Sequence, residues 1–184
     1  MLVVVDIGNT NITMGLYHDD KLVGNYRLTT KLQRTSDEYG FMILSFLNAY
    51  HTKVEDIKDV IIASVVPKIM YSFTNSIRKY FHKEPIIVGP GIKTGISIKI
   101  DNPKALGADR LVDAAGAYYL HHCACLVIDF GTATTFDIIS SKGEFLGGAT
   151  APGLGISVEA LSSQAAKLPE IEIKKPASII GRNT

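Results

Sequence analysis

The sequence is poor in the residue types that mark several special classes of protein. It contains no tryptophan and only two cysteines among 184 residues, which excludes a small scaffold held together by several disulfides. The formal net charge of +1 at pH 7 gives no basis for expecting a nucleic-acid partner. The first apolar run ends at Asp6, so we expect neither a signal peptide nor a membrane span. We therefore expect a cytoplasmic protein.

The two cysteines lie close together, at positions 123 and 125, and follow His121 and His122. The pattern H-H-C-x-C allows a zinc-site interpretation. Zinc sites usually draw on two separated ligand pairs, and the sequence contains no further cysteine. We therefore favour the interpretation that Cys123 and Cys125 are small residues that lead into a buried strand.

The most informative feature that is present is a short segment that occurs twice. Residues 3–10 read V-V-V-D-I-G-N-T, and residues 126–133 read L-V-I-D-F-G-T-A. In each, an apolar run ends in Asp-x-Gly, and the two copies lie 123 residues apart. Gly24 and Gly147 keep the same separation. This shared register predicts a duplicated unit, with two acidic turns that face each other across a cleft.

The first copy alternates strand and helix signals. Thr35, with Glu38 three residues later, forms a capping-box pattern, and Pro67 suits the first turn of a helix. The predicted strands are 2–6, 15–17, 22–28, 60–66 and 86–88, of which the first and the last two are predicted to be buried. The predicted helices are 35–50, 67–82 and 103–121.

The second copy repeats the strand meander and begins the first helix. Its predicted strands are 126–129, 135–140 and 144–148, and its helix is 157–166. At the offset of 123 residues, Thr184 corresponds to Ile61. We therefore expect the second copy to lack roughly 60 residues that would complete it.

A strand that ends in Asp-x-Gly supplies three chemical elements at one place. The carboxylate can hold a hard cation, the glycine lets backbone N–H groups approach an anion, and neighbouring hydroxyl and amide side chains can donate to phosphate oxygens. A single Asp-x-Gly is common in ordinary turns. Two copies in register, each after a buried strand, favour a site that grips a polyphosphate and its metal for phosphoryl transfer.

Both segments resemble the two phosphate-binding motifs of the superfamily of acetate and sugar kinases, heat-shock ATPases and actin. The motifs are residues 6–10 and 129–137. The closer resemblance is to the type III pantothenate kinases. Further motifs carry it over nearly the whole chain: Ser64-Val65-Val66-Pro67, Gly89-Pro90-Gly91-Ile92-Lys93-Thr94-Gly95, Gly107-Ala108-Asp109-Arg110, Gly147-Gly148, Ala151-Pro152-Gly153 and Gly181-Arg182-Asn183-Thr184.

This resemblance implies an α/β fold of duplicated ribonuclease-H-like domains, each with a mixed five-stranded sheet flanked by helices. The domains would be residues 1–115 and 116–184, the second incomplete in this chain. The implied activity is phosphorylation of pantothenate by ATP, the first step of coenzyme A synthesis, with Mg²⁺ and a monovalent cation, K⁺ or NH₄⁺. The family also implies a cytoplasmic homodimer in which the partner subunit partly encloses pantothenate.

The resemblance assigns the nucleotide side of the site to both copies. Asp6 would lie near Mg²⁺, Asp129 would hold the monovalent cation, and Thr132 would contact ATP from the other side. The ATP phosphates would be bound by Asp6, Ile7, Gly8, Asn9, Thr10, Asn11, Ile12 and Thr13.

Pantothenate would be bound by Gly107, Ala108, Asp109 and Arg110, with Thr184 closing over it. Ile100 stands where the family has an aromatic residue that packs on pantothenate, and its apolar side chain could still line the pocket. Asp109 would be the base, because a carboxylate within hydrogen-bond reach can accept the proton of a primary hydroxyl. We expect Asp109 inside a helix that begins near Pro103, where aspartate is a mediocre helix former. From the sequence alone, a solvated Asp109–Arg110 pair is an equal alternative.

Other functions stay open at this point. One is a non-catalytic accessory or regulatory relative of the Bvg accessory factor type, and another is a different small-molecule kinase of the superfamily. A chaperone-like or actin-like ATPase would need a longer chain and would leave Gly107–Arg110 without a role. The joint presence of Asp6, Asp109, Arg110, Asp129 and Thr132 favours the kinase. Gly153-Leu154-Gly155 lacks the downstream acid of a dinucleotide site and is predicted to start a helix.

Overall fold

The computed structural model describes residues 1–89, 91–165, 168–169 and 171–181. The chain divides into two compact units. The first comprises Met1–Ile96 and Asp101–Gly116, and the second comprises Ser97–Ile100 and the chain from Ala117 onward. Each unit contains a mixed sheet and helices, so the predicted α/β class is confirmed.

The first unit is built on a five-stranded sheet with the order β3-β2-β1-β4-β5. Strands β1 to β3 form an antiparallel meander, and β4 and β5 run parallel to β1. The strands are β1 (Leu2–Ile7), β2 (Asn11–His18), β3 (Lys21–Thr29), β4 (Asp59–Ser64) and β5 (Ile86–Ile87). The helices are α1 (Ser36–Ala49), α2 (Pro67–Phe81) and the start of α3 (Ala108–His121).

The core of this unit lies between the sheet and helices α1 and α2. Along β1, Val3, Val5 and Ile7 are buried and alternate with more exposed residues, as expected when one face of a strand is covered. The rings of Tyr39 and Phe73 join the two helices at a centroid distance of 5.0 Å. Each large apolar side chain that is fully buried contributes about 1.5–3 kcal/mol. The helices add Ile43, Phe46, Leu47, Ile69, Ile77 and Phe81 to this core.

The ends of α1 and α2 confirm the signals read from the sequence. Thr35 Oγ1 accepts a 3.3 Å hydrogen bond from the Glu38 N–H, and Glu38 Oε2 accepts a 2.7 Å bond from the Thr35 N–H. Pro67 is the first residue of α2. The prediction of a buried strand at residues 86–88 was wrong in part: β5 is a two-residue edge strand, and Ile86 and Ile87 are more than 40% exposed.

The second unit has a four-stranded sheet among the described residues, with the order β6-β9-β8-β7. Strands β7, β8 and β9 repeat the antiparallel meander, and β6 pairs in parallel with β9. The strands are β6 (Ser97–Ile98), β7 (Cys125–Phe130), β8 (Ala133–Ile139) and β9 (Glu144–Pro152), and the helix is α4 (Leu154–Gln164). Gly153 is the N-cap of α4, as predicted.

The duplication is visible in the bounds of the strands. β7 begins and ends 123 residues after β1, and β9 begins and ends 123 residues after β3. A bulge also recurs at this offset, because the shift in register makes Val23 the extra residue in β3 and Leu146 the extra residue in β9. Gly24 and Gly147 follow these bulged residues, which explains why they keep the offset.

The two copies differ in the turn that follows the first strand. Residues 8–10 separate β1 from β2, whereas only residues 131–132 separate β7 from β8. Consequently Asp6 pairs with Thr13 while Asp129 pairs with Thr135, and the offset within β8 is one residue smaller than elsewhere. The second turn is therefore tighter than the first.

Helix α3 begins later than the sequence predicted. Residues Pro103–Ala105 form a separate 3-10 turn, and Leu106 returns to an extended conformation. Gly107 then precedes the helix, and its carbonyl accepts a 3.1 Å bond from the Leu111 N–H. The prediction that Asp109 lies in a helix interior was wrong: it lies in the first turn of α3. Among the described residues, no helix combines the length and apolar character that crossing a bilayer requires.

Candidate active site

In the first unit, Asp6 stands at the end of β1 on the exposed side of the strand. Its neighbours Val5 and Ile7 are buried on the other side, because successive side chains of a strand alternate between faces. Asp6 pairs with Thr13 on β2 and with Ala63 on β4. Asp6 is thereby held on a central strand of the sheet, on the exposed side of that strand.

The turn of residues 8–10 is closed by its own backbone. The Gly8 N–H donates a 2.9 Å hydrogen bond to the Asn11 carbonyl, and a Cβ on Gly8 would lie only 3.2 Å from that oxygen. Glycine is therefore the residue that fits here with least adjustment. Asn9 and Thr10 are exposed, so the tip of the turn presents polar groups outward.

Thr30, the residue after β3, contacts this turn and was missed by the sequence reasoning. Its N–H donates a 2.9 Å bond to the Thr10 carbonyl, and its hydroxyl donates a 2.7 Å bond to the Gly8 carbonyl. The sequence signal that could have found it is its distance of 123 residues from Gly153, the last residue of the Ala151-Pro152-Gly153 motif.

In the second unit, the corresponding turn carries Asp129 and Thr132, both exposed. The Gly131 N–H donates a 2.9 Å bond to the Ala133 carbonyl. The Asp129 carboxylate lies beside the turn: its Oδ2 is 3.5 Å from the position that a Cβ on Gly131 would occupy. The Gly153 N–H donates a 3.0 Å bond to the Thr132 carbonyl.

Asp109 lies in the first unit at the start of α3. Its Oδ1 accepts a 2.7 Å hydrogen bond from the backbone N–H of Arg110. A carboxylate is favoured at this end of a helix by the unsatisfied N–H groups and the helix dipole. The bond orients the Asp109 carboxylate toward the backbone at the start of its own helix.

Gly107 allows the Asp109 carboxylate to take this position. A Cβ on Gly107 would collide with Asp109 Oδ1 and would lie 3.5 Å from Val65 Cγ1. Val65 in turn donates its N–H to the Ile7 carbonyl at 3.1 Å. The structure therefore places the start of α3 near the carboxyl-terminal ends of β1 and β4 in the first sheet.

The remaining predicted residues fall elsewhere. Ile100 belongs to the second unit, where its Cγ2 lies 3.8 Å from the position of a Cβ on Gly147. Thr184 lies outside the described residues. Of the predicted positions, residues 6–13 and 107–110 belong to the first unit, and Ile100, Asp129 and Thr132 to the second.

Each of the two Asp-x-Gly turns carries a carboxylate whose oxygens fit hard cations. Asp6 and Asp129 offer carboxylate oxygens, which Mg²⁺ and alkali cations accept. In the described part of the chain, no group of three or more His, Cys, Asp or Glu side chains is placed to hold a metal. Cys123 and Cys125 are free thiols, the first exposed and the second half-buried, and desolvation raises the pKa of the Cys125 thiol. The prediction that they lead into a buried strand was wrong, because most residues of β7 are exposed.

The chain is similar to known proteins over its whole length. It is 54% identical over 184 residues to the type III pantothenate kinase of Agathobacter rectalis, covering 100% of this chain and 71% of that protein. It is 50% identical over 184 residues to the type III pantothenate kinase of Geotalea uraniireducens, covering 100% of this chain and 72% of that protein.

A solved structure from Campylobacter jejuni, assigned to the Baf family of transcriptional activators, matches with a TM-score of 0.53 and 23% identity. The match covers 90% of this chain and 62% of that one, and it supports the fold alone. The sequence model of the type III pantothenate kinases matches residues 2–184. The chain therefore belongs to the type III pantothenate kinase family.

Proposed function

We propose that this protein transfers the terminal phosphoryl group of ATP to the primary hydroxyl of pantothenate and so makes 4′-phosphopantothenate, the first step of coenzyme A synthesis. Membership of the kinase family, matched over residues 2–184, supports this reaction class. A kinase of this family uses ATP together with a divalent metal ion. The enzyme is thus a phosphotransferase with an alcohol group as acceptor.

One observation carries the proposal beyond family membership. The backbone of Val65 is bonded to Ile7 at the end of β1, while its side chain lies beside Gly107 at the start of α3. A turn that could bind phosphate and a carboxylate that could accept a proton thus lie at the same ends of the strands in the first sheet. Phosphoryl transfer depends chiefly on such positioning of donor and acceptor.

For the nucleotide, we assign residues 6–13 to the ATP phosphates. The N–H groups near the exposed tip, with the side chains of Asn9 and Thr10, would donate to phosphate oxygens. Asp6 would hold Mg²⁺, which neutralises phosphate charge when it is bound with ATP. Thr132 would contact ATP from the second unit, and Asp129 would hold K⁺ or NH₄⁺.

For the acceptor, we assign Asp109 as the general base. Its Oδ1 is held by the Arg110 N–H, so the carboxylate is fixed before substrate arrives. It would accept the proton of the pantothenate hydroxyl as the new oxygen–phosphorus bond forms. Gly107, Ala108 and Arg110 would bind pantothenate, and the Arg110 guanidinium suits its carboxylate. Apolar contact by Ile100, closure by Thr184, a homodimer and a cytoplasmic location remain predictions.

The test is steady-state turnover by the protein as its gene encodes it. ATP consumption should require pantothenate and should rise when K⁺ or NH₄⁺ replaces Na⁺. Hydrolysis of ATP without pantothenate would favour an ATPase of the superfamily. Absence of any turnover under these conditions would favour an accessory or regulatory protein.

A further inference from the structure

We propose that Thr30 and Gly153 are paired positioning residues, each of which sets the backbone of one phosphate-binding turn. The inference rests on the proposed function, because it assumes that both turns bind ATP or its ions. The two residues lie 123 positions apart, and each directly follows the third strand of its copy. Neither residue belongs to the assigned ATP or pantothenate sites.

In the first copy, Thr30 grips two carbonyl groups of the same turn. Its N–H binds the Thr10 carbonyl at 2.9 Å, and its hydroxyl binds the Gly8 carbonyl at 2.7 Å. A peptide group is planar and trans, so its N–H points opposite to its C=O. Holding the Gly8 and Thr10 carbonyls therefore fixes the directions of the Asn9 and Asn11 N–H groups.

The segment that carries Thr30 is itself held by Arg34, just before α1, and by Tyr39 in α1. Arg34 Nη1 donates to the Thr29 carbonyl at 3.1 Å, and the Tyr39 hydroxyl donates to the Lys31 carbonyl at 3.2 Å. The Arg34 guanidinium also lies over the Tyr39 ring, 6.0 Å from its centroid. Because Tyr39 is fully buried, the residues on both sides of Thr30 are tied to the core of the unit.

In the second copy, one carbonyl of the turn is held, and by a backbone group alone. The Gly153 N–H binds the Thr132 carbonyl at 3.0 Å, which fixes the direction of the Ala133 N–H. A Cβ on Gly153 would overlap the Gly131 carbonyl oxygen and would lie 2.5 Å from the Thr132 carbonyl oxygen. At the tighter second turn a side chain on residue 153 would have no room, whereas at the longer first turn the Thr30 side chain reaches the Gly8 carbonyl.

The first test compares Thr30→Val, which keeps the shape but loses the hydroxyl, with Thr30→Ser, which keeps the hydroxyl. Loss of this partly buried hydrogen bond should raise the ATP dissociation constant and the KM for ATP about tenfold in Thr30→Val. The KM for pantothenate should stay within about twofold, and Thr30→Ser should restore ATP binding. Equal ATP dissociation constants for Thr30→Val and the unaltered protein would overturn the positioning role. So would parallel losses of ATP and pantothenate affinity.

The second test compares Gly153→Ala with the matched control Gly155→Ala, at which a Cβ would meet nothing within 4 Å. Gly153→Ala should weaken ATP binding by at least about tenfold, and Gly155→Ala should leave it unchanged. Indistinguishable affinities of these two variants would contradict the role of Gly153. Should Gly153→Ala fail to fold, the Thr30 pair decides the inference.

The outcome is separable from that of the proposed function. Calorimetric titration with ATP alone measures the turns, and turnover of pantothenate by the unaltered protein measures the reaction. If the unaltered protein binds ATP but phosphorylates no pantothenate, the proposed reaction is wrong. If the unaltered protein turns over pantothenate normally and the Thr30→Val and Gly153→Ala variants bind ATP with unchanged affinity, the positioning role is wrong.

Discussion

The Val65 N–H donates a 3.1 Å hydrogen bond to the Ile7 carbonyl, which links the end of β1 to the segment after β4. Since the Val65 side chain lies beside Gly107, this bond also relates the strand that precedes the turn of residues 8–10 to the start of α3. The placement of Asp109 is thus a property of the first unit.

The first prediction concerns the base. Asp109→Asn keeps an oxygen that can accept the Arg110 N–H but cannot accept a proton from the substrate. We expect kcat to fall about 100-fold to 10,000-fold, while the ATP dissociation constant changes little. Asp20→Asn, in the exposed turn between β2 and β3, is the control for loss of a carboxylate. Near-normal turnover in Asp109→Asn would refute the assignment.

The second prediction concerns the space that Gly107 leaves for the Asp109 carboxylate. A Cβ in Gly107→Ala would collide with Asp109 Oδ1, so the carboxylate must turn away. We expect a fall in kcat of at least about tenfold, since small misplacements of a reacting group cost rate.

Gly116→Ala is the matched control, because it lies in the same helix and its Cβ would meet nothing within 4 Å. That variant should gain about 0.5–1 kcal/mol of stability from the better helix propensity of alanine, with turnover unchanged. Full turnover in Gly107→Ala, measured beside this control, would show that the position of the carboxylate is not needed for rate.

The third prediction concerns pH and the contact between α1 and α2. Asp37 Oδ1 accepts 2.7 Å hydrogen bonds from Lys79 Nζ and from the Tyr80 hydroxyl. These bonds, that from Lys79 first, hold the pKa of Asp37 below its ordinary value of 3.8. A carboxyl with a lowered folded-state pKa stabilises the fold above its unfolded-state pKa, and this contribution is lost as pH falls through the folded-state pKa.

Asp37→Asn should therefore lower the free energy of unfolding at about pH 6 and flatten its decline below pH 3.8. The effect should be small and should shrink in about 1 M salt, because both charged side chains are more than half exposed and exposed charges are screened. Urea unfolding at both pH values measures it. A deficit of equal size at acid and neutral pH would rule out this ionic contribution.

The sequence predicted the parts of the fold that depend on local pattern. The offset of 123 residues anticipated β1 with β7 and β3 with β9, because an apolar run before Asp-x-Gly is a local signal. The Thr35–Glu38 cap was predictable for the same reason, since a capping box involves residues three apart.

The start of α3 was not predictable in this way. Pro103 is compatible with a helix start, but Leu106 is extended and the chain becomes α-helical only at Ala108. As a result, Asp109 moves from an unfavourable interior position to a favourable first turn. The fit of Gly107 against Val65 could not be foreseen, because it joins residues far apart in the chain.

Thr30 was missed for a related reason. Its side chain looks ordinary in the sequence, and its importance arises only where β3 ends beside the turn of residues 8–10. Gly153 was correctly predicted as a helix start, yet its contact with Gly131 requires the tighter second turn. The two turns differ in length because Ile7 pairs with Ile12 whereas Phe130 pairs with Thr134. Neither Asp-x-Gly motif by itself indicates this difference.

The most direct test of the account uses ATP labelled with ¹⁸O in its terminal phosphoryl group, incubated with the protein and pantothenate and followed by mass spectrometry. The account predicts that the label appears in 4′-phosphopantothenate in step with ADP formation, and that Asp109→Asn suppresses this transfer. Unmodified pantothenate, with the label released only as inorganic phosphate, would contradict it.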